Sequence, residues 1–194
     1  YDRLAKQIDQ AIRFMDTIGI SIDNPQVNQT QFFTSHEALL LGYEEAMTRV
    51  DSITGGWYDC SAHLVWIGER TRQVDGAHVE FLRGVLNPIG VKVGPDCEID
   101  DIKRLIEKLN PENEAGRLTL ITRMGIDKVG DVLPSLLRET KKEGFNLVWS
   151  CDPMHANTYT SGSGHKTRNF NDILTEITRF FDVHHAEGTI PGGV

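Results

Sequence analysis

The sequence is poor in the features that mark several protein classes. Cysteine occurs only three times, as Cys60, Cys97 and Cys151. An odd number at wide spacing argues against a disulfide framework and predicts reduced thiols in a cytoplasmic setting. No apolar run, Phe145 to Trp149 included, approaches the roughly 18 residues that cross a bilayer, so no membrane segment is expected. No basic stripe is present, and the formal net charge is −8. That balance argues against a nucleic-acid partner held by phosphate contacts, and leaves any anionic ligand to be met by a few placed cations. Neither Gly-x-Gly-x-x-Gly nor Gly-x-x-x-x-Gly-Lys-Ser/Thr follows any strand-like run, which removes both common nucleotide-binding fingerprints.

What is present is an ordinary globular composition, 39% hydrophobic and 25% charged, sufficient for a packed core. Leu4, Ile8, Ile12 and Met15 recur at helical spacing and predict an amphipathic helix over 2–17, ending near Gly19. A polar loop from Asn24 to Gln31 leads to Thr34 and Glu37, whose spacing matches a capping box and predicts a helix running to about Val50. After Gly55-Gly56 the pattern changes. Strand-like runs at 62–67, 89–93, 118–121 and 147–149, with a fifth starting near Gly193-Val194, alternate with helical segments at 71–86, 100–109, 128–143 and 169–185. Four successive βα units of this kind imply a parallel α/β sheet, and without a nucleotide fingerprint a barrel is the expected form. The chain opens at Tyr1 and stops at Pro191-Gly192-Gly193-Val194 just as a strand starts, so truncation is expected.

Each strand-like run is followed by polar residues, which a parallel α/β protein places at the carboxyl ends of its strands, where its sites lie. Arg70, Lys92 and Arg123 thereby converge from three strand ends. In an acidic chain such a cluster suits a phosphate or carboxylate, because Arg offers two parallel hydrogen bonds and Lys a compact charge. Any single cation among them is more often a solvated surface charge. Lys92 is the sharpest case: it interrupts Ile89-Gly90-Val91-Lys92-Val93 and needs a counter-charge if buried. His155, after Asp152-Pro153, suits a divalent metal or acid/base chemistry, although a lone histidine is usually neither. His184-His185 cannot both face one metal, since adjacent helical side chains diverge by about 100°, and both are read as structural. Cys151 is read as a small buried hydrophobe. The stretch Ser161 to Arg168 reads as a flexible basic loop that either reaches over a site or is a solvated linker.

Several motifs then stand in a familiar order: Trp66-Ile-Gly-Glu-Arg-Thr-Arg-Gln73, Gly76-Ala-His78, Asn87-Pro-Ile-Gly-Val-Lys-Val-Gly-Pro95, Gly116-Arg-Leu-Thr-Leu-Ile-Thr-Arg-Met-Gly125 and Cys151-Asp-Pro-Met-His155. Together with Phe32-Phe-Thr-Ser-His-Glu-Ala38 and Lys166-Thr-Arg168, they resemble the type II 3-deoxy-D-arabino-heptulosonate 7-phosphate (DAHP) synthases over nearly the whole chain. The resemblance implies a partial (β/α)8 TIM barrel. Residues 51–194 would be its C-terminal half, truncated at both ends, and residues 1–50 an extra helical decoration before the barrel strands.

The implied activity is that of a transferase, 3-deoxy-7-phosphoheptulonate synthase. It joins phosphoenolpyruvate to erythrose 4-phosphate with a divalent metal, first Mn2+, with Co2+ or Zn2+ as alternatives, at the entry to aromatic amino acid biosynthesis. Glu69, Lys92 and Arg123 would be catalytic around phosphoenolpyruvate, Arg70 would hold a substrate phosphate and Trp66 would line the pocket. Lys166 and Arg168 would be peripheral substrate contacts, and His155 a metal ligand. The resemblance also implies a homo-oligomer, a regulatory partner such as chorismate mutase, and a cytoplasmic address, or a plastid one in a plant. The sequence departs from the family at Ala156, where glycine is usual, and holds only His155 of the four metal ligands that the family uses. An inactive fragment that binds phosphorylated ligands or a partner chain is the alternative expectation.

Overall fold

A computed structural model describes residues 2–20 and 31–194, which divide into two compact units, Tyr1–Phe33 and Thr34–Val194. The first contains α1 (Asp2–Thr17), formed where the 3.6-residue spacing of Leu4, Ile8 and Ile12 predicts it, and closed at Gly19 by a bond to the Asp16 carbonyl. The polar loop expected from Asn24 lies almost wholly outside the described residues.

The second unit opens differently from the expectation. Residues 34–50 are not one helix but β1 (Ser35–Glu37), α2 (Leu41–Met47) and β2 (Thr48–Val50), followed by β3 (Trp57–Asp59), which pairs antiparallel with β2. The Thr34 hydroxyl and amide turn to the His63 ring instead of capping a helix. β1 is drawn into the sheet by parallel pairing with β4 (Leu64–Ile67), so the sheet gains a strand that the sequence pattern missed. His36 and Ser61 both bond the buried carboxylate of Glu44 on α2, at 2.8 and 2.6 Å, which fixes α2 against β1.

From β4 onward the alternating pattern holds. β5 (Ile89–Val93), β6 (Leu118–Thr122) and β7 (Val148–Cys151) continue the sheet in the order β1-β4-β5-β6-β7, every pair parallel. Gly193 makes one further parallel bridge to Ser150, at the place where the next strand was expected. The connecting helices are α3 (Ala77–Leu82), α4 (Ile99–Leu109), α5 (Val129–Lys142) and α6 (Phe170–Ala186). The helix expected over 71–86 is shortened. Glu69–Thr71 forms a 3-10 turn, and a tight turn from Gln73 to Gly76 intervenes before α3 starts.

Because side chains alternate across a strand, one face of the sheet presents Val65, Ile67, Ile89, Val91, Val93, Leu118, Leu120, Trp149 and Cys151, all buried. They share a core with Ile102, Leu105, Ile106 and Leu109 of α4, Leu133, Leu136 and Leu137 of α5, and Phe180 of α6. The other face carries Trp66, Lys92, Thr119, Ile121, Val148 and Ser150, all half-buried. Lys92 is therefore not an interruption of the core but a residue of the second face. Among the described residues the sheet is an open five-stranded arc, and no helix is long and apolar enough to cross a membrane.

Candidate active site

The carboxyl ends of all five strands lie along one edge of this sheet, and the second face at that edge forms a pocket of about 460 Å³. Arg70 and Glu69 reach it from the turn after β4, Lys92 from β5, Arg123 from the loop after β6, and Asp152 and His155 from the loop after β7. Trp66 supplies an apolar wall, and its ring lies 5.4 Å from the Lys92 ammonium. Lys166 and Arg168 also line the pocket, but from an ordered element. The stretch expected to be a flexible loop, 161–168, is the turn and second strand of an antiparallel hairpin of β8 (Thr158–Thr160) and β9 (Lys166–Arg168), whose turn closes through Ser161 and His165. The Arg168 Nε donates to the Met154 carbonyl at 2.9 Å, tying the hairpin to the loop after β7. All eight residues singled out in the sequence thus line one pocket.

Sequence reasoning did not single out Glu37, Asp152 or Arg72. Glu37 lines the pocket from the end of β1. Asp152 is the counter-charge that Lys92 needs: its Oδ2 accepts from the ammonium at 2.5 Å, and both side chains are largely buried. Burial works against the Asp152 charge. The Lys92 hydrogen bond and charge, the Met154 amide and the nearby His155 outweigh it and hold the carboxyl below its ordinary value. The same carboxylate lies 2.7 and 3.0 Å from His155 Nδ1, which fixes the ring and leaves Nε2 as the nitrogen able to take a metal. That pairing fits a metal-ligand histidine, although among the described residues no group of three or more His, Cys, Asp and Glu side chains is placed to hold an ion.

Glu69 is fixed by Arg72, whose Nε and Nη2 both reach Glu69 Oε1 at 3.0 Å. Its other oxygen, Oε2, is buried without a hydrogen-bond partner among the described residues, as is Arg123 Nε. An unsatisfied buried acceptor and an unsatisfied buried donor, on two residues of one pocket wall, are costly. The Arg123 Nη2 donates to the His155 carbonyl at 3.0 Å. Arg72 was discoverable: it lies three residues from Glu69, the spacing of ion pairs within a helical turn.

Burial disfavours the thiolate form of two cysteines. Burial pushes Cys97 up to about 11, and burial, with Glu176 and Asp152 nearby, pushes Cys151 up to about 12. Cys151 is a core residue, as expected. His184 is structural as well, buried between Trp149 and Phe180 with its Nδ1 at 2.7 Å from the Thr189 hydroxyl.

Five cations, Arg70, Lys92, Arg123, Lys166 and Arg168, face three carboxylates, Glu37, Glu69 and Asp152, in a pocket at the carboxyl edge of a parallel α/β sheet. This excess of positive charge, in a chain of net charge −8, makes the pocket of this α/β protein suited to an anionic ligand. More specifically, the profile of the class-II DAHP synthetase family matches residues 1–194, and the chain belongs to that family. It is 53% identical over 192 residues to a protein named probable phospho-2-dehydro-3-deoxyheptonate aldolase, chloroplastic, of Catharanthus roseus, covering 99% of this chain and 39% of the relative. It is 53% identical over 194 residues to the phospho-2-dehydro-3-deoxyheptonate aldolase of Streptomyces coelicolor, covering 100% of this chain and 43% of the relative. Against the aldolase AroG of Mycolicibacterium smegmatis the identity is 49% over 199 residues, 100% of this chain and 42% of the relative. The chain spans about two fifths of the length of these curated relatives.

Proposed function

We propose that this chain supplies the phosphoenolpyruvate and erythrose 4-phosphate pocket of a DAHP synthase, on an arc of a (β/α)8 barrel. The observation that carries the reading is the convergence of Arg70, Lys92, Arg123, Lys166 and Arg168 on one pocket, beside Glu69. Two polyanionic substrates repel each other in water, so a site that joins them must first neutralise both.

Lys92 and Arg123 hold phosphoenolpyruvate, the Arg123 guanidinium through charge-assisted bonds. Arg70 takes the phosphate of erythrose 4-phosphate, and Lys166 and Arg168 add positive potential at the pocket wall. The condensation forms a carbon–carbon bond between phosphoenolpyruvate C3 and the aldehyde carbon. The aldehyde oxygen gains a proton, water adds to the enol carbon, and phosphate leaves. Glu69, held by Arg72 through Oε1, orients that water and accepts its proton. Trp66 keeps one side of the pocket apolar, which strengthens each charge interaction within it. His155 Nε2 is one ligand for a divalent metal, which when bound polarises the aldehyde as a Lewis acid.

Titration calorimetry on the full-length protein tests the reading. Phosphoenolpyruvate binds the wild type, and Arg123→Met weakens binding by about 2–5 kcal/mol, the usual cost of removing one partner of a buried charged hydrogen bond. Equal affinity in the two proteins would refute the assignment of Arg123.

A further inference from the structure

Glu176 of α6 does not line the pocket, yet it is the residue on which the two loops carrying Arg123 and His155 converge. Its side chain is 0% exposed. Oε1 accepts from the Met124 and Gly125 amides at 3.0 and 2.9 Å, in the loop that follows Arg123. Oε2 accepts from Asn157 Nδ2 at 2.6 Å, in the loop that follows His155. Asn157 closes the circuit, since its Oδ1 accepts from the Ile126 amide at 3.2 Å and its Nδ2 also donates to the Pro153 carbonyl at 2.8 Å. Gly125, at φ +79, turns its amide towards the carboxylate in a conformation that side-chain-bearing residues rarely adopt. No cation pairs with Glu176 among the described residues, and burial pushes its carboxyl above the ordinary range. A buried carboxylate without an ion pair is expensive to keep, and every hydrogen bond it receives comes from the two loops.

We propose that Glu176, acting through Asn157, is a positioning residue that clamps the loops after β6 and β7 together and so sets the spacing between the Arg123 guanidinium and the His155 ring. The clamp rests on the phosphoenolpyruvate reading only for its effect on binding, since its geometry is independent of any ligand. Glu176→Gln is nearly isosteric and keeps an acceptor for Met124 and Gly125, but sets an amide donor against the Asn157 donor. Combining Glu176→Gln with Asn157→Asp restores a donor facing an acceptor and keeps the bond from Ile126, but gives up the bond to the Pro153 carbonyl.

In the full-length protein, Glu176→Gln raises the dissociation constant for phosphoenolpyruvate about tenfold or more, the usual consequence of losing an outer support of a binding residue. The double variant recovers part of this loss. Amide hydrogen exchange supplies a readout that needs no ligand. In Glu176→Gln it quickens across residues 123–126 and 153–157 and stays at the wild-type rate in α4, and in the double variant it slows again across residues 123–126. Unchanged exchange in both loops, or equal quickening in α4, overturns the clamp. Wild-type protein that fails to bind phosphoenolpyruvate overturns the pocket assignment instead, and the exchange pattern still decides the clamp.

Discussion

Glu69 is held in place from two sides. Arg72 grips one oxygen through two nitrogens, and Gly94, just after β5, leaves the space that the carboxyl occupies. A methyl group at position 94 would stand 3.0–3.2 Å from the Glu69 carboxyl atoms, tighter than ordinary contact, against a side chain that Arg72 prevents from swinging away. Gly94→Ala is therefore expected to lower kcat about tenfold through displacement of Glu69, while the thermal midpoint stays within a few degrees. Steady-state kinetics beside a melting curve checks this, and wild-type turnover in the variant would contradict it. At this scale much of the site was legible. Lys92 announced itself as a charge on an apolar strand, and its need for a counter-charge follows from desolvation alone. Its partner did not: Asp152 is brought to it by parallel pairing of β5, β6 and β7, and strand register across such separations cannot be read from spacing. Glu37 escaped because its spacing from Thr34 imitates a helix cap.

The elements themselves follow the strength of their periodicity. α4, α5 and α6 lie within about two residues of the amphipathic segments at 100–109, 128–143 and 169–185, because a 3.6-residue repeat over three or more turns is unambiguous. β1, β8 and β9 are three residues each, too short to display alternation, so β1 falls within the expected helix, β9 within the expected loop, and no strand is expected at β8. Thr158-Tyr159-Thr160 and Lys166-Thr167-Arg168 around Ser-Gly-Ser-Gly carried a hairpin signal nonetheless.

α6 also carries a pH prediction. Burial depresses His184 to about 4, so the folded state keeps its ring neutral. In the unfolded chain the ring titrates near its ordinary value of about 6.5. The associated stability is present above that value and is lost as pH falls towards the folded one. Between pH 7 and pH 5 the loss is about 2 kcal/mol by linkage. Urea unfolding at both pH values measures it, and His184→Leu is expected to remove most of the difference. An undiminished difference in the variant would place the titration elsewhere.

At the scale of the whole molecule, the parallel strand order gathers side chains from distant parts of the sequence at one edge of the sheet. An acidic chain thereby presents a cationic pocket without a basic run anywhere in its sequence, and the overall charge disfavours nonspecific polyanions while the pocket suits small ones. Composition and periodicity reach the parallel α/β class. The reaction is reached only through the motifs at the strand ends, because the same sheet edge serves many chemistries. The central claim is that this pocket joins two phosphorylated substrates, and the most direct measurement is mass spectrometry of the products formed by the full-length protein with phosphoenolpyruvate, erythrose 4-phosphate and Mn2+. The account predicts a seven-carbon keto-acid phosphate and one equivalent of inorganic phosphate, both lost in Lys92→Met. Binding of phosphoenolpyruvate with no new carbon–carbon bond, or a product that persists in Lys92→Met, would contradict it.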